Sequence, residues 1–196
     1  MEKTRFETDL TQGSVTRQLI RFALPFVISN LIQSLYAVAD MIIVGNFAGS
    51  ASMNGVTQGS QMTMLVTHAV VGLAVGGTVL IGQYLGAGRR DEMKTTISTL
   101  LTTLAALAVA ITAAMLLLRR PLLTLIQVPD GEVYEQALRY FTTTTWGTFF
   151  IFGYNALSAI MRGMGDSKTP LKFVGIACVF NIGFDLLLVG PFGMKA

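Results

Sequence analysis

The chain has 196 residues, of which 52% are hydrophobic and only 13% are charged, and its mean hydropathy is +0.60. This balance excludes an ordinary water-soluble domain and a disordered chain, and it indicates a membrane protein. With one cysteine and one histidine, the chain can form no internal disulfide and lacks the ligands of a zinc cluster. No basic stripe with interleaved aromatic residues accompanies the net charge of +3, so we expect no nucleic-acid partner.

Charge-free segments predict the membrane crossings. The 48 residues from Met41 to Gly88 contain no charged side chain, and one helix of that length would be about 72 Å long, more than twice the bilayer core. We therefore expect a turn between Asn46 and Asn54, where glycine, serine and asparagine gather. The sequence predicts an all-α, polytopic transmembrane bundle (residues 19–196) after an N-terminal arm (residues 1–18). Its five helices are expected at about 19–45, 55–85, 95–118, 138–161 and 171–190.

Basic residues predict the orientation of this bundle. The N-terminal segment through Arg21 and the segments Gly86–Ile97 and Met161–Lys172 hold ten of the fourteen lysines and arginines. Cytoplasmic loops are enriched in these residues, so the N-terminus is predicted to be cytoplasmic. The pair Arg119 and Arg120 lies on the other side and is an exception to the pattern.

Two acidic residues, Asp40 and Asp185, fall inside predicted helices, where an ionised carboxylate costs at least about 2.5 to 3.5 kcal/mol. Each follows a proline, Pro25 or Pro170, by fifteen residues. Because both helices run outward from the cytoplasm, the two acids are expected to lie at one depth and, on neighbouring helices, to face one cavity. The alternative is that each acid only bonds a neighbouring helix; we favour a functional pair because ionisable residues inside membranes are usually functional.

Three further residues extend this candidate site. Asn181 lies one helical turn before Asp185 and Tyr36 lies one turn before Asp40, so each shares a helix face with its acid. Tyr36 could equally serve packing between helices. Pro25 lies inside the first predicted helix, where it removes a backbone hydrogen bond and favours a bend.

Several short motifs in a fixed order resemble one known family. The matching segments span nearly the whole chain: Phe22–Pro25, Tyr36–Asp40 with Val44–Gly45, Gly82–Ala87, Met161–Asp166 with Lys168–Pro170, and Asn181 with Asp185. In this combination they resemble the multidrug and toxic compound extrusion (MATE) family, especially its bacterial DinF-like branch. The resemblance implies a secondary transporter of twelve helices in two lobes, of which this chain would be a partial N-terminal lobe, ending after the fifth helix.

The resemblance also implies a function and the residues that perform it. The expected activity is export of cationic or amphipathic compounds in exchange for inward H⁺ or Na⁺, without enzymatic activity or an organic cofactor. Asp40 and Asp185 would be the coupling carboxylates, and Asn181 and Asn155 would help to form the ion site, with Na⁺ held at Asp40, Asp185 and Asn181. Pro25 would be the point at which the first helix bends. Asn155 is only seven residues before Arg162, which places it closer to the cytoplasm than Asp185.

The same resemblance implies a bacterial cytoplasmic membrane as the location, with membrane lipids, a drug-like substrate and a complementary C-terminal lobe as partners.

A first alternative to this function is a truncated or split-gene lobe that does not transport without its other half. A second is a lipid or oligosaccharide flippase, whose cavity would carry basic residues that the interiors of the predicted membrane segments lack. A third is an intramembrane aspartyl protease, suggested by the GxGD pattern at Gly163–Asp166. We disfavour this third alternative because Asp166 lies in a basic loop, away from the second acid that a proteolytic dyad requires.

Overall fold

A computed structural model of the chain describes residues 7–8, 13–47 and 49–189. Those residues form five long helices: α1 (Val15–Phe47), α2 (Gly49–Gly86), α3 (Arg90–Leu125), α4 (Glu132–Gly163) and α5 (Lys168–Val189). The prediction of an all-α bundle is therefore confirmed for the described part of the chain.

The helices are longer than the apolar segments that predicted them. α3 begins at Arg90, with Asp91 and Glu92 in its first turn, and continues past Pro121. Acidic side chains in the first turn stabilise a helix, because they lie at the positive end of its dipole. This stabilisation favours a helix that starts before the apolar stretch. The predicted turn at 46–54 is too long, because α1 continues to residue 47 and α2 begins at residue 49. Helix satisfies backbone hydrogen bonds internally, which is favoured near a bilayer.

Four of the helices, α1, α2, α3 and α5, are long and apolar enough to cross a membrane by length and composition. α4 has 32 residues, enough for a helix of about 48 Å, but it is more polar. Ten of its residues are buried, in keeping with its packing against both α2 and α3. The fifth crossing, by α4, stays a prediction.

Helices α2, α3 and α4 pack together as a three-helix unit, within which α2 and α4 make the most extensive contact. Its main apolar core consists of Val70, Ala74, Leu104, Ala108, Phe152, Ala156 and Ala159. Near the end of α4 the helices approach closely, because a Cβ added to Gly163 would lie 2.8 Å from the Ile81 Cβ. The Thr78 hydroxyl joins the same two helices, donating to Ala74 O at 3.0 Å and to Ala159 O at 3.1 Å.

Helices α1 and α5 form a second unit, the α1–α5 pair. They pack extensively on each other, whereas α1 contacts α2 less and α5 contacts α4 only slightly. Pro25 is buried inside α1, and its carbonyl accepts the Ser29 hydroxyl at 2.9 Å; the bend expected there stays a prediction. Large apolar side chains remain exposed along both helices, as expected for surfaces that meet lipid or another lobe. They include Leu24, Leu31, Leu35, Phe180, Phe184 and Leu187.

Candidate functional site

Asp40 and Asp185 lie on the two helices of the α1–α5 pair. Both side chains are half-buried, and their carboxylates are close enough for their charges to interact. Asp185 Oδ2 is buried and has no hydrogen-bond partner among the residues that the structure describes. A buried acceptor without a donor is costly, so this oxygen is well suited to accept a proton or to coordinate a hard cation.

Two tyrosines accompany the acids. Tyr36, one turn before Asp40 on α1, interacts electrostatically with both carboxylates. Tyr140, near the start of α4, interacts with Asp40 and with Tyr36. Both tyrosines are half-buried, and their hydroxyls can donate hydrogen bonds to an ionised acid. We call Asp40, Asp185, Tyr36 and Tyr140 the carboxylate cluster.

Sequence reasoning missed Tyr140. It is the first residue of the charge-free segment 140–161 and lies at the predicted outer end of the fourth helix. Asp40 and Asp185 lie near the predicted outer ends of helices 19–45 and 171–190, so counting depth along the fourth helix could have found Tyr140. Cys178, two turns before Asp185, also interacts with Tyr36 and is half-buried.

The two asparagines of the candidate site are not bonded to the cluster. Asn181 is exposed on α5, and Asp185 Oδ2 accepts no bond from it. The Asn155 amide donates to Ile151 O of its own helix at 2.8 Å. Asn155 is also fifteen residues after Tyr140, a rise of about 22 Å along α4. The structure thus brings together Asp40, Asp185 and Tyr36, while roles for Asn155 and Asn181 stay predictions.

Asp166, the acid of the GxGD pattern, caps the start of α5. Its Oδ1 accepts the backbone N–H groups of Lys168 and Thr169, both at 3.0 Å, and its Oδ2 accepts the Thr169 hydroxyl at 2.5 Å. It precedes Asp185 by nineteen residues, about 28 Å along the helix. The pattern therefore forms a capped turn, and its acid is not part of a carboxylate dyad with Asp185.

The family model that matches this sequence is MatE, over residues 25–187, a range that includes the whole carboxylate cluster. The chain belongs to the MatE family. Members of the MatE family are transporters and not enzymes, and the apolar helices agree with an integral membrane protein.

Individual relatives agree with this assignment. The MatE chain is 30% identical over 186 residues to the probable multidrug resistance protein YpnP of Bacillus subtilis (strain 168), covering 95% of the chain and 42% of that relative. It superposes with a TM-score of 0.91 and 27% identity on a MOP superfamily transporter from Pyrococcus furiosus, over 99% of this chain and 42% of that one. That transporter is described as having a binding pocket of reverse polarity, suggesting a different function.

A second solved structure is a multidrug resistance MATE family transporter in an outward-facing conformation. Its TM-score is 0.89 at 26% identity, with 96% of this chain and 42% of that chain covered. The chain therefore spans about two fifths of the length of the relatives it matches. This extent and the shared fold agree with a partial lobe of a MatE transporter.

Proposed function

We propose that the chain forms part of a multidrug efflux antiporter that exports cationic or amphipathic compounds in exchange for inward H⁺ or Na⁺. The carboxylate cluster carries the proposal, because it holds two acids close together on helices that are long and apolar enough to cross a membrane. The names of relatives as multidrug resistance proteins support the same function.

The coupling follows from the electrostatics of the pair. Two ionised carboxylates at close range in a poorly solvated site repel each other, and a proton or Na⁺ removes that repulsion. A cationic drug would relieve the same repulsion, so ion and drug compete for the cluster. A ligand shifts a conformational equilibrium only through its different affinity for the two states. Ion binding at Asp40 and Asp185 would therefore favour one arrangement of α1 and α5, and drug binding another.

The cargo is proposed to be cationic because the only charged side chains in the inner parts of α1 and α5, within the described residues, are the two acids. Within the described residues, α1 has no basic side chain after Arg21 and α5 has none after Lys172. A phosphate-bearing lipid or oligosaccharide would need basic groups in its cavity. The carboxylate cluster instead offers two anionic groups.

A complete transport pathway is proposed to require a complementary C-terminal lobe. The test is dye transport by everted vesicles, in which export from the cell is measured as dye accumulation in the vesicle lumen. The vesicles contain either this chain alone or a fusion to the C-terminal half of a related transporter. Separate H⁺ and Na⁺ gradients are imposed on each preparation. We expect efflux from the fusion under one of the gradients and none from the chain alone. Efflux of an anionic, phosphate-bearing cargo in place of cationic dyes would support the flippase alternative.

The carboxylates are tested in the same fusion. Asp40→Asn and Asp185→Asn are each expected to abolish ion-driven efflux, since an amide cannot exchange a proton or provide an anionic ligand. Asp130→Asn is the matched control, because Asp130 is exposed between α3 and α4. Full efflux in both cluster variants would reject the assignment of the coupling site.

A further inference from the structure

Glu7, in the arm that precedes α1, forms an ion pair with the first residue of α3. Its two carboxylate oxygens accept Arg90 Nη1 at 2.9 Å and Nη2 at 2.7 Å. Bidentate pairs of this kind are among the strongest hydrogen bonds in proteins. The Glu7 side chain is only 5% exposed and that of Arg90 is 30% exposed, so loss of the arginine would leave a buried carboxylate without this partner.

Thr8 fixes the arm at a second place. Its backbone N–H donates to Met164 O, directly after α4, at 3.1 Å. The next residue, Gly165, has φ +87°, and a Cβ added there would lie 2.7 Å from Thr8 O. The turn between α4 and α5 is thus shaped to receive the arm, and Arg90 holds it at the turn between α2 and α3.

A cavity of about 450 Å³ lies beside these anchors. Glu7 and Thr8 form part of its wall, together with Phe22 of α1, Thr78 of α2 and Arg162 of α4. At this end of the bundle a cavity therefore separates part of α1 from the three-helix unit. The two anchors hold the arm against the start of α3 and the turn after α4, and the arm is covalently continuous with α1.

We infer that Glu7 and Thr8 act as a strap, which fastens the α1–α5 pair to the three-helix unit at the end of the bundle where α3 and α5 begin. Release of the strap allows the pair to move relative to the unit. This inference goes beyond the proposed function, because it requires no particular cargo, coupling ion or second lobe.

The first test measures hydrogen exchange of the Thr8 amide in the whole chain in lipid nanodiscs. Arg90→Gln is expected to accelerate exchange about tenfold or more, because it removes a charge-assisted anchor. Arg89→Gln is the matched control: it removes the same charge from the adjacent residue, which is exposed and pairs with Glu92 at 2.7 Å. Exchange of Thr8 that is as slow in Arg90→Gln as in Arg89→Gln would overturn the strap.

An independent variant acts on the second anchor. Gly165→Ala places a methyl group against Thr8 O and is expected to accelerate Thr8 exchange as Arg90→Gln does. Gly88→Ala is its control, because Gly88 also has a positive φ, +72°, but nothing lies within 4 Å of its added Cβ. Acceleration by Gly88→Ala to the same degree would show that backbone strain alone causes the effect, and would count against the strap.

The second test measures the movement itself. Spin labels are attached at Arg17→Cys on α1 and Lys94→Cys on α3, both exposed positions, in a Cys178→Ser background. The distance distribution is expected to be narrow in the parent and broader or displaced after Arg90→Gln, but unchanged after Arg89→Gln. An unchanged distribution in Arg90→Gln would reject the strap. Faster exchange of the core amide of Ala108 in that variant would also reject it, because the whole fold would then have loosened.

Discussion

Asp40 on α1 and Tyr140 on α4 interact electrostatically, although α1 packs mainly on α5. The two residues are therefore near each other where α1 ends and α4 begins. The pair Glu7–Arg90 joins the arm that precedes α1 to the first residue of α3. The Glu7–Arg90 ion pair is thus a polar anchor near the beginning of α1, and a change in the charge of Asp40 would alter the electrostatic surroundings of Tyr140 near its end.

We expect Tyr140→Phe to change the ion dependence of efflux in a complete transporter. The variant removes a hydroxyl that can donate to ionised Asp40, and a net hydrogen bond of about 0.5 to 1.5 kcal/mol corresponds to a roughly two- to tenfold change in ion affinity. The measurement is the ion concentration that gives half-maximal efflux. Tyr134→Phe, on the same helix but packed in an apolar cluster, should leave this value unchanged. Equal values for the two variants would contradict the prediction.

Gly163→Ala should destabilise the three-helix unit. Its new methyl group would lie 2.8 Å from Ile81 Cβ and 2.9 Å from Thr78 O, and overpacking of this kind typically costs about 1 to 3 kcal/mol. Gly153→Ala on the same helix is the control, because nothing lies within 4 Å of its Cβ and alanine favours helix by up to about 1 kcal/mol. The stabilities of both variants are measured by denaturation in detergent. If the Gly163→Ala protein were as stable as the Gly153→Ala protein, α2 and α4 would be able to move apart at Gly163 without loss of stability, and the prediction would be wrong.

Asp166→Ala is expected to lower stability by about 0.5 to 2 kcal/mol, the usual effect of losing a helix cap. The substitution removes the acceptor of two backbone N–H groups at the start of α5. Asp130→Ala removes an exposed acid between α3 and α4 and should change stability by less than about 0.5 kcal/mol. The two unfolding curves are compared under identical conditions. A loss of stability seen only in Asp130→Ala, or of equal size in the two variants, would be inconsistent with a capping role for Asp166.

The sequence was most informative where helical geometry alone determines position. Equal spacing of Asp40 and Asp185 from their prolines predicted a pair at one depth, because the rise per residue of a helix is constant. That the first and fifth helices are neighbours is a tertiary property, which this spacing cannot reveal. Tyr140 was missed because its proximity to Asp40 depends on how α4 packs.

The anchors of the arm were beyond sequence reasoning for a similar reason. Glu7 and Arg90 are 83 residues apart, and each alone reads as an ordinary surface charge. The helix boundaries near residue 48 were misjudged because glycine, serine and asparagine favour turns locally. Near a bilayer, the requirement for internal backbone hydrogen bonds outweighs that preference.

Thr78→Val tests whether a single hydroxyl joins α2 to α4. Thr78 Oγ1 donates to its own helix and also to Ala159 O, whereas Thr67 Oγ1 donates to Thr63 O of its own helix at 2.8 Å. Hydrogen bonds between membrane helices contribute about 0.6 kcal/mol on average and up to about 1.7 kcal/mol. We expect Thr78→Val to lose stability in that range and Thr67→Val to remain within about 0.5 kcal/mol of the parent. Because both variants replace a hydroxyl by a methyl group, equal stabilities would assign the α2–α4 contact to apolar packing alone.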